Sequence, residues 1–185
     1  GIHTPALLKR SGLKHKHIGK HLALHPTMMV ISEFEDDVKS WLGPPITALC
    51  DEFVRQKGNY GYLVQCPPLH PASYASIILD WKSGLSHKET MLNLSNLGAI
   101  YGLLHERSSG SIKLDKNGQP IINYVMNRHD IKLAKHATKT LCKIHAAAGA
   151  KRIHPLHMAS PKHGYNAHTI HQWLDDIDHY PWKPT

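Results

Sequence analysis

Phenylalanine occurs only twice and cysteine only three times in these 185 residues, and no wholly apolar run is longer than Leu97 to Leu104. A bilayer-crossing helix needs roughly 18 or more apolar residues, so none is written here. Cys50, Cys66 and Cys142 lie far apart in an odd number and without CxxC spacing. That excludes a disulfide scaffold and fits free, buried thiols in a reducing intracellular compartment. There is no P-loop, no GxSxG elbow and no GxGxxG fingerprint, so neither nucleotide binding nor acyl transfer is encoded within these residues. Acidic residues are also scarce at one end: Gly1 to His25 holds five Lys/Arg and five His with no acid, and it does not read as a secretory signal.

What is present is ordinary globular material. Hydrophobic residues make up 41% and charged residues 19%, with a mean hydropathy of −0.36, enough to bury the core of one domain. The 22 basic residues against 14 acidic ones leave a formal charge of +8, which draws anions to the surface. The chain opens at Gly1 without an initiator Met and closes on Tyr180-Pro181-Trp182-Lys183-Pro184-Thr185, so both ends read as cut from something longer.

Local patterns predict the elements. Thr4-Pro5 marks a helix entry, with Thr4 as N-cap and Pro5 at N1, and Ser11-Gly12 stops it. Thr27 to Phe34 is β-prone. Ile46 to Val54 and Tyr60 to Cys66 read as antiparallel partners around Lys57-Gly58-Asn59. Helical spacing covers Ala72 to Trp81 and Ser86 to Leu94, followed by a strand over Leu97 to His105. Ser111 to Leu114 and Pro120 to Tyr124 form a hairpin whose turn places Gly118 in the left-handed region. Asn127 or Asp130 caps a long helix with the stripe Ile131, Ala134, Ala137, Leu141, Ile144 and Ala148, closed by Gly149. A short strand at Arg152 to Leu156 and a second amphipathic helix over Asn166 to His179 complete the order. Strands mixed with helices and hairpins, rather than strict βαβ alternation, predict an α+β fold: a mostly antiparallel sheet of about six strands with helices packed on one face.

Histidine is the compositional outlier at 17 residues. His17, His21 and His25 are spaced as metal ligands on one helix face would be. Gly19 and Pro26 interrupt that helix, however, Lys14, Lys16 and Lys20 surround it, and no carboxylate offsets a cation's charge. Solvated loop histidines are the better reading, with no metal assigned. The pairs His154/His157 and His168/His171 lack a Cys or acidic partner and read as surface or capping residues. The positive charge raises a nucleic-acid or anion-binding module as an alternative. The missing interleaving of aromatic and basic residues argues against nucleic acid as a partner.

Several segments together resemble a known family. Gly1-Ile2-His3-Thr4-Pro5-Ala6-Leu7-Leu8-Lys9-Arg10-Ser11-Gly12-Leu13 is similar to the second signature of the glucose-methanol-choline (GMC) flavin oxidoreductases. Ile18-Gly19-Lys20-His21-Leu22-Ala23-Leu24-His25-Pro26 resembles the family's Gly-x-Asn-Leu segment, with His21 where Asn is usual, and Leu-His-Pro resembles the long-chain (fatty) alcohol oxidase branch. Ser109 to Leu114 with Pro120 to Tyr124 is similar to the strand-turn-strand before the long helix of the family's substrate domain.

The resemblance implies the substrate-binding part of an FAD-dependent enzyme that oxidises long-chain primary alcohols with O2, giving aldehyde and peroxide. Residues 1–26 would form the junction to an FAD-binding domain of the same chain, and residues 27–185 the substrate-binding domain. His3, Thr4 and Pro5 would lie beside the flavin and His25 near the junction; for Thr4-Pro5 a plain helix cap is the alternative. The sheet residues Leu63, Gln65, Tyr101 and Leu103 would form a pocket wall, against the alternative that they are plain core. The family's catalytic histidine motif and dinucleotide fingerprint are not among these residues, so no catalytic residue is assigned and this segment alone should be inactive. The parent enzyme is compatible with a membrane-attached or peroxisomal setting.

Overall fold

The computed structural model of the chain describes residues 1–77, 81, 83–161 and 163–182. Its elements in order are α1 (His3–Arg10), β1 (Lys20–Leu22), β2 (Thr27–Glu33), β3 (Leu49–Cys50), β4 (Tyr62–Gln65), α2 (Pro71–Ile77), α3 (Gly84–Leu92), β5 (Leu97–Leu104), β6 (Gly110–Leu114), β7 (Pro120–Asn123), α4 (Arg128–Ala147), β8 (Arg152–Pro155), β9 (Tyr165–Asn166), α5 (Ile170–Trp173) and α6 (Asp176–His179).

The uninterrupted apolar run of β5 suits an interior strand, and β5 lies inside the main sheet, covered by α4 on one face and by the Leu69/Tyr74/Leu94 cluster at its Leu97–Ala99 end on the other. It pairs antiparallel with β2 from Thr27↔Leu103 to Glu33↔Leu97 and with β4 from Tyr62↔Leu104 to Gln65↔Tyr101. The six strands run in the order β3-β4-β5-β2-β8-β9, every pairing antiparallel. The apolar stripe of α4 crosses one face, where Leu133, Ala134, Ala137, Leu141 and Cys142 bury against Val30, Tyr62, Ile100, Leu104 and Ile153. Asn127 caps this helix by accepting a hydrogen bond from the Asp130 N–H. Its alternative, Asp130, is instead a buried first-turn residue. A smaller cluster of Ile31, Leu97 and Ala99 with Leu69, Tyr74 and Leu94 lies on the opposite face.

The hairpin forms as expected, with Gly118 at φ 76°. Rather than extending the main sheet, it pairs with β1 in a separate three-stranded sheet, β1-β6-β7, on which α1 packs. Gly19 sits where these pieces meet. Its φ is 78°, and a Cβ there would lie 2.2 Å from the carbonyl oxygen of Ile112, so only glycine fits.

The structure corrects several local expectations. Ile2, not Thr4, stands at the N-cap of α1 and makes no side-chain capping bond. Proline's missing N–H costs nothing anywhere in a first turn, so Thr-Pro alone does not set the register. Of Ile46 to Val54 only Leu49–Cys50 is strand, because the chain turns at Asp51 to bring Phe53 onto Tyr62, ring centroids 5.0 Å apart. Asn166 to His179 is broken into a 3₁₀ turn, α5 and α6. Trp173 stacks on Tyr165 and donates to the Asn166 carbonyl, while Lys135 and Lys139 of α4 hold Asp178. Side-chain contacts outside the segment therefore override its helical period. Ile78–Asp80, part of the helix expected over Ala72 to Trp81, and Lys183–Thr185 lie outside the described residues.

Candidate functional site

Successive residues of a strand point to opposite faces, and cross-strand partners share a face. Val30, Tyr62, Val64, Ile100 and Leu104 belong to the core under α4. Met29, Leu63, Gln65, Tyr101 and Leu103, which alternate with them, therefore look away from α4. The register gathers these residues into rows. Leu49, Gln65, Tyr101 and Met29 are successive partners across β3, β4, β5 and β2, and Leu63, Leu103 and Thr27 form the neighbouring row. A further row, Ala99 with Ile31, is buried with Leu69, Tyr74 and Leu94.

Among the described residues this face is thus covered at one end and open at the other. In the open part Leu49 is 60% exposed, and Leu63, Gln65, Tyr101 and Leu103 are half-buried. The four sheet residues singled out from the sequence come together here as two adjacent cross-strand pairs, one apolar and one polar. Leu49 and Met29 were missed, and only the strand register reveals them. Within the polar pair the Tyr101 hydroxyl donates a 2.6 Å hydrogen bond to Oε1 of Gln65.

A second concave region surrounds α1. A cleft of about 410 Å³ is lined by Ile2, Pro5, Gly19, Leu22, Leu24 and Ile112 among others. Thr4 and Pro5 also line a neighbouring depression with His15 and His17. His3 and Thr4 are exposed on the first helical turn, and Pro5 is buried. His25 is not among the residues lining either cleft. Its side chain is exposed, its φ is 58°, and its N–H and that of Leu24 donate to one oxygen of Glu106 at 2.9 and 2.7 Å. No local pattern marks Glu106, because the contact spans more than 80 positions of sequence.

The histidine-rich segment forms turns and the short strand β1 instead of one helix. His17 and His21 contact each other, Nδ1 to Nε2 at 3.1 Å, and the His15 and His17 ring centroids are 5.2 Å apart. Among the described residues no three His, Cys, Asp or Glu side chains gather as a metal cluster. Burial lowers the pKa of both His145 and His154 to about 4, so both are neutral at pH 7. Of the three free thiols only Cys142 is buried; Cys50 is half-buried and Cys66 exposed, which corrects the expectation of uniformly buried cysteines. Among the described residues no helix is long and apolar enough to cross a membrane.

Three curated proteins illustrate the likeness. Long-chain-alcohol oxidase FAO4A of Arabidopsis thaliana is 35% identical over 161 residues, 82% of this chain and 22% of that protein. Long-chain-alcohol oxidase FAO3 of the same plant is 28% identical over 186 residues, 94% of this chain and 24% of its own length. The uncharacterized GMC-type oxidoreductase y4nJ of Sinorhizobium fredii is 30% identical over 185 residues, 99% of this chain and 33% of its own. No family model matches the chain. The chain spans about a quarter of the length of the alcohol oxidases it matches.

Proposed function

The chain belongs to the glucose-methanol-choline oxidoreductase family, beside its long-chain-alcohol oxidases, and from that membership we propose that it is the substrate-binding part of a flavoenzyme. The reaction is oxidation of a long-chain primary alcohol by O2 to the aldehyde and H2O2. The observation that carries the reading is the open half of the sheet face. There Leu63 and Leu103 form an apolar cross-strand pair, with Leu49 and Met29 at the two ends of the neighbouring row, and offer an apolar surface of the kind an alkyl chain needs. Each methylene withdrawn from water onto such a wall contributes about 0.8 kcal/mol, so the wall favours long chains over short ones.

GMC oxidoreductases are generally flavoproteins, and the cofactor proposed here is FAD. The residues around α1 fit one edge of a flavin. Among the described residues no side chain caps the N-terminus of α1, and no acid lies in its first turn, so the N–H groups of His3 and Thr4 can face an electron-rich ring edge, while Pro5 has none to offer. His3, Thr4 and Pro5 would hold that edge, and His25 would lie near the junction with the FAD-binding domain of the same chain. The flavin, when bound, supplies the hydride acceptor. This segment's own part is to bind the alkyl chain, orient the hydroxyl-bearing carbon and exclude water. The dinucleotide fingerprint and the catalytic histidine motif are not among its residues. The free thiols favour a reducing intracellular compartment.

The test is the visible absorption spectrum of the full-length protein purified without added cofactor. Flavin bands that bleach when 1-dodecanol is added without oxygen are the expected result. A colourless protein that stays colourless after reconstitution with FAD overturns the reading.

A further inference from the structure

The polar pair on the open face has no place in a wall that only holds an alkyl chain. Tyr101 and Gln65 face each other across β5 and β4, half-buried, with Leu49 and Met29 on either side in the same row and Leu63 and Leu103 in the next. A polar group left unpaired among apolar residues and covered by a ligand loses its bonds to water without replacement, so such a pair should be satisfied when the face is occupied.

Half of that requirement is met internally. The Tyr101 hydroxyl donates to Gln65 Oε1 at 2.6 Å, with Oε1 the end of the amide that faces Tyr101. The other end, Nε2, carries two N–H donors and no acceptor. Among the described residues Nε2 makes no hydrogen bond. Its requirement is therefore one of sign as well as place, for an oxygen that accepts.

We propose that Gln65 is a specificity-determining residue that donates a hydrogen bond from Nε2 to an oxygen of the bound alcohol, with Tyr101 positioning the amide. The inference rests on the alcohol-oxidase reading above and adds to it the polarity and place of the substrate's oxygen. The Leu63/Leu103 pair lies two residues along the strands, about 7 Å away at roughly 3.4 Å per residue. An alcohol lying along β4 and β5 places its methylenes on the leucine pair while an oxygen meets Gln65. That oxygen is either the reacting hydroxyl or a second one farther along the chain, and the chemistry of the contact is the same.

The experiment is steady-state peroxide formation by the full-length flavoenzyme and its Gln65→Leu variant, with 1-dodecanol and 1,12-dodecanediol as substrates. Dodecane serves as an oxygen-free competitive inhibitor. Loss of one hydrogen bond lowers kcat/KM by about three- to ten-fold. A fall for both alcohols assigns the contact to the reacting hydroxyl, and a fall for the diol alone assigns it to the distal oxygen. In both cases the inhibition constant of dodecane stays within two-fold of wild type, roughly the range a preserved apolar wall allows.

The proposal is overturned if kcat/KM changes for neither alcohol. It is also overturned if dodecane binding weakens in parallel, which would mean that Gln65 only shapes the wall. The near-isosteric Gln65→Met repeats the test should leucine disturb the fold. A wild-type enzyme that binds flavin but oxidises neither alcohol overturns the alcohol-oxidase reading itself, and this inference with it.

Discussion

The carboxylate of Asp130, wholly buried on the first turn of α4, accepts hydrogen bonds from both the backbone N–H and the hydroxyl of Ser108. The N–H of Arg107 also donates to it at 3.0 Å, and the Ser108 hydroxyl oxygen in turn accepts from the Asn127 N–H at 2.8 Å. One side chain thus ties the end of β5, the start of the hairpin and the N-terminus of α4 together. Burial alone would raise the carboxyl's pKa, but the bonds from Ser108, Arg107 and His129 outweigh it and hold it below its ordinary value.

Replacing Asp130 by alanine leaves these buried donors unsatisfied, and the expected cost is about 3 kcal/mol in urea unfolding of the chain. Asp130→Asn keeps an acceptor and should cost less. A loss below about 1 kcal/mol for alanine would mean that water or a rearranged loop satisfies the donors.

Acid should weaken the fold well above the carboxylate range. His145 and His154 have folded pKa values of about 4 because burial disfavours their charged forms, against 6.5 for an unperturbed imidazole. The folded values are depressed, so the unfolded chain binds these protons first. The contribution of the two histidines is full above about pH 6.5, falls as pH drops from there to about 4, and is constant below, by at most about 3 kcal/mol per residue. His145 packs edge-on against Phe34, and its buried Nδ1 has no partner among the described residues. His145→Leu should therefore flatten this limb at little cost at pH 7.5. Unfolding curves at pH 7.5 and 5.0 check both statements.

Gly19→Ala combines a left-handed backbone with a steric clash against Ile112, whose N–H donates to the Gly19 carbonyl at 2.7 Å. The expected loss is about 2–4 kcal/mol, concentrated where β1 joins β6. Hydrogen exchange should show faster opening at Ile112 than in β5. Equal protection in variant and wild type would sink this account.

The thiols should separate by reactivity. Cys142 is fully buried under the sheet with its thiol pKa pushed up to about 12, whereas Cys66 is exposed. A thiol reagent at pH 8 should label Cys66 in the folded protein and leave Cys142 untouched until unfolding. Native-state labelling of Cys142 at the rate of Cys66 would show that α4 lifts from the sheet.

Much of the fold is legible in local patterns because the relevant physics is local. The period of Ile131, Ala134, Ala137 and Leu141 makes α4, Gly118 makes the hairpin turn, and the unbroken run from Leu97 makes the central strand. The failures are equally physical. Nothing near Phe53 in sequence announces that it will stack on Tyr62, and nothing inside Asn166 to His179 announces that Tyr165 and two lysines of α4 will break it into short turns.

The sequence by itself determined which residues are apolar, which segments favour helix or strand, and the segment around Thr4-Pro5 that resembles a family signature. Only the tertiary structure decided which sheet face stays open, that Gln65 meets Tyr101 there, and that Glu106 and Asp130 hold distant backbone. The reason is separation along the chain. A strand's alternation names two faces without saying which one a helix will cover. Partners 36 or 82 residues apart meet only when strand register and α4 packing bring them together.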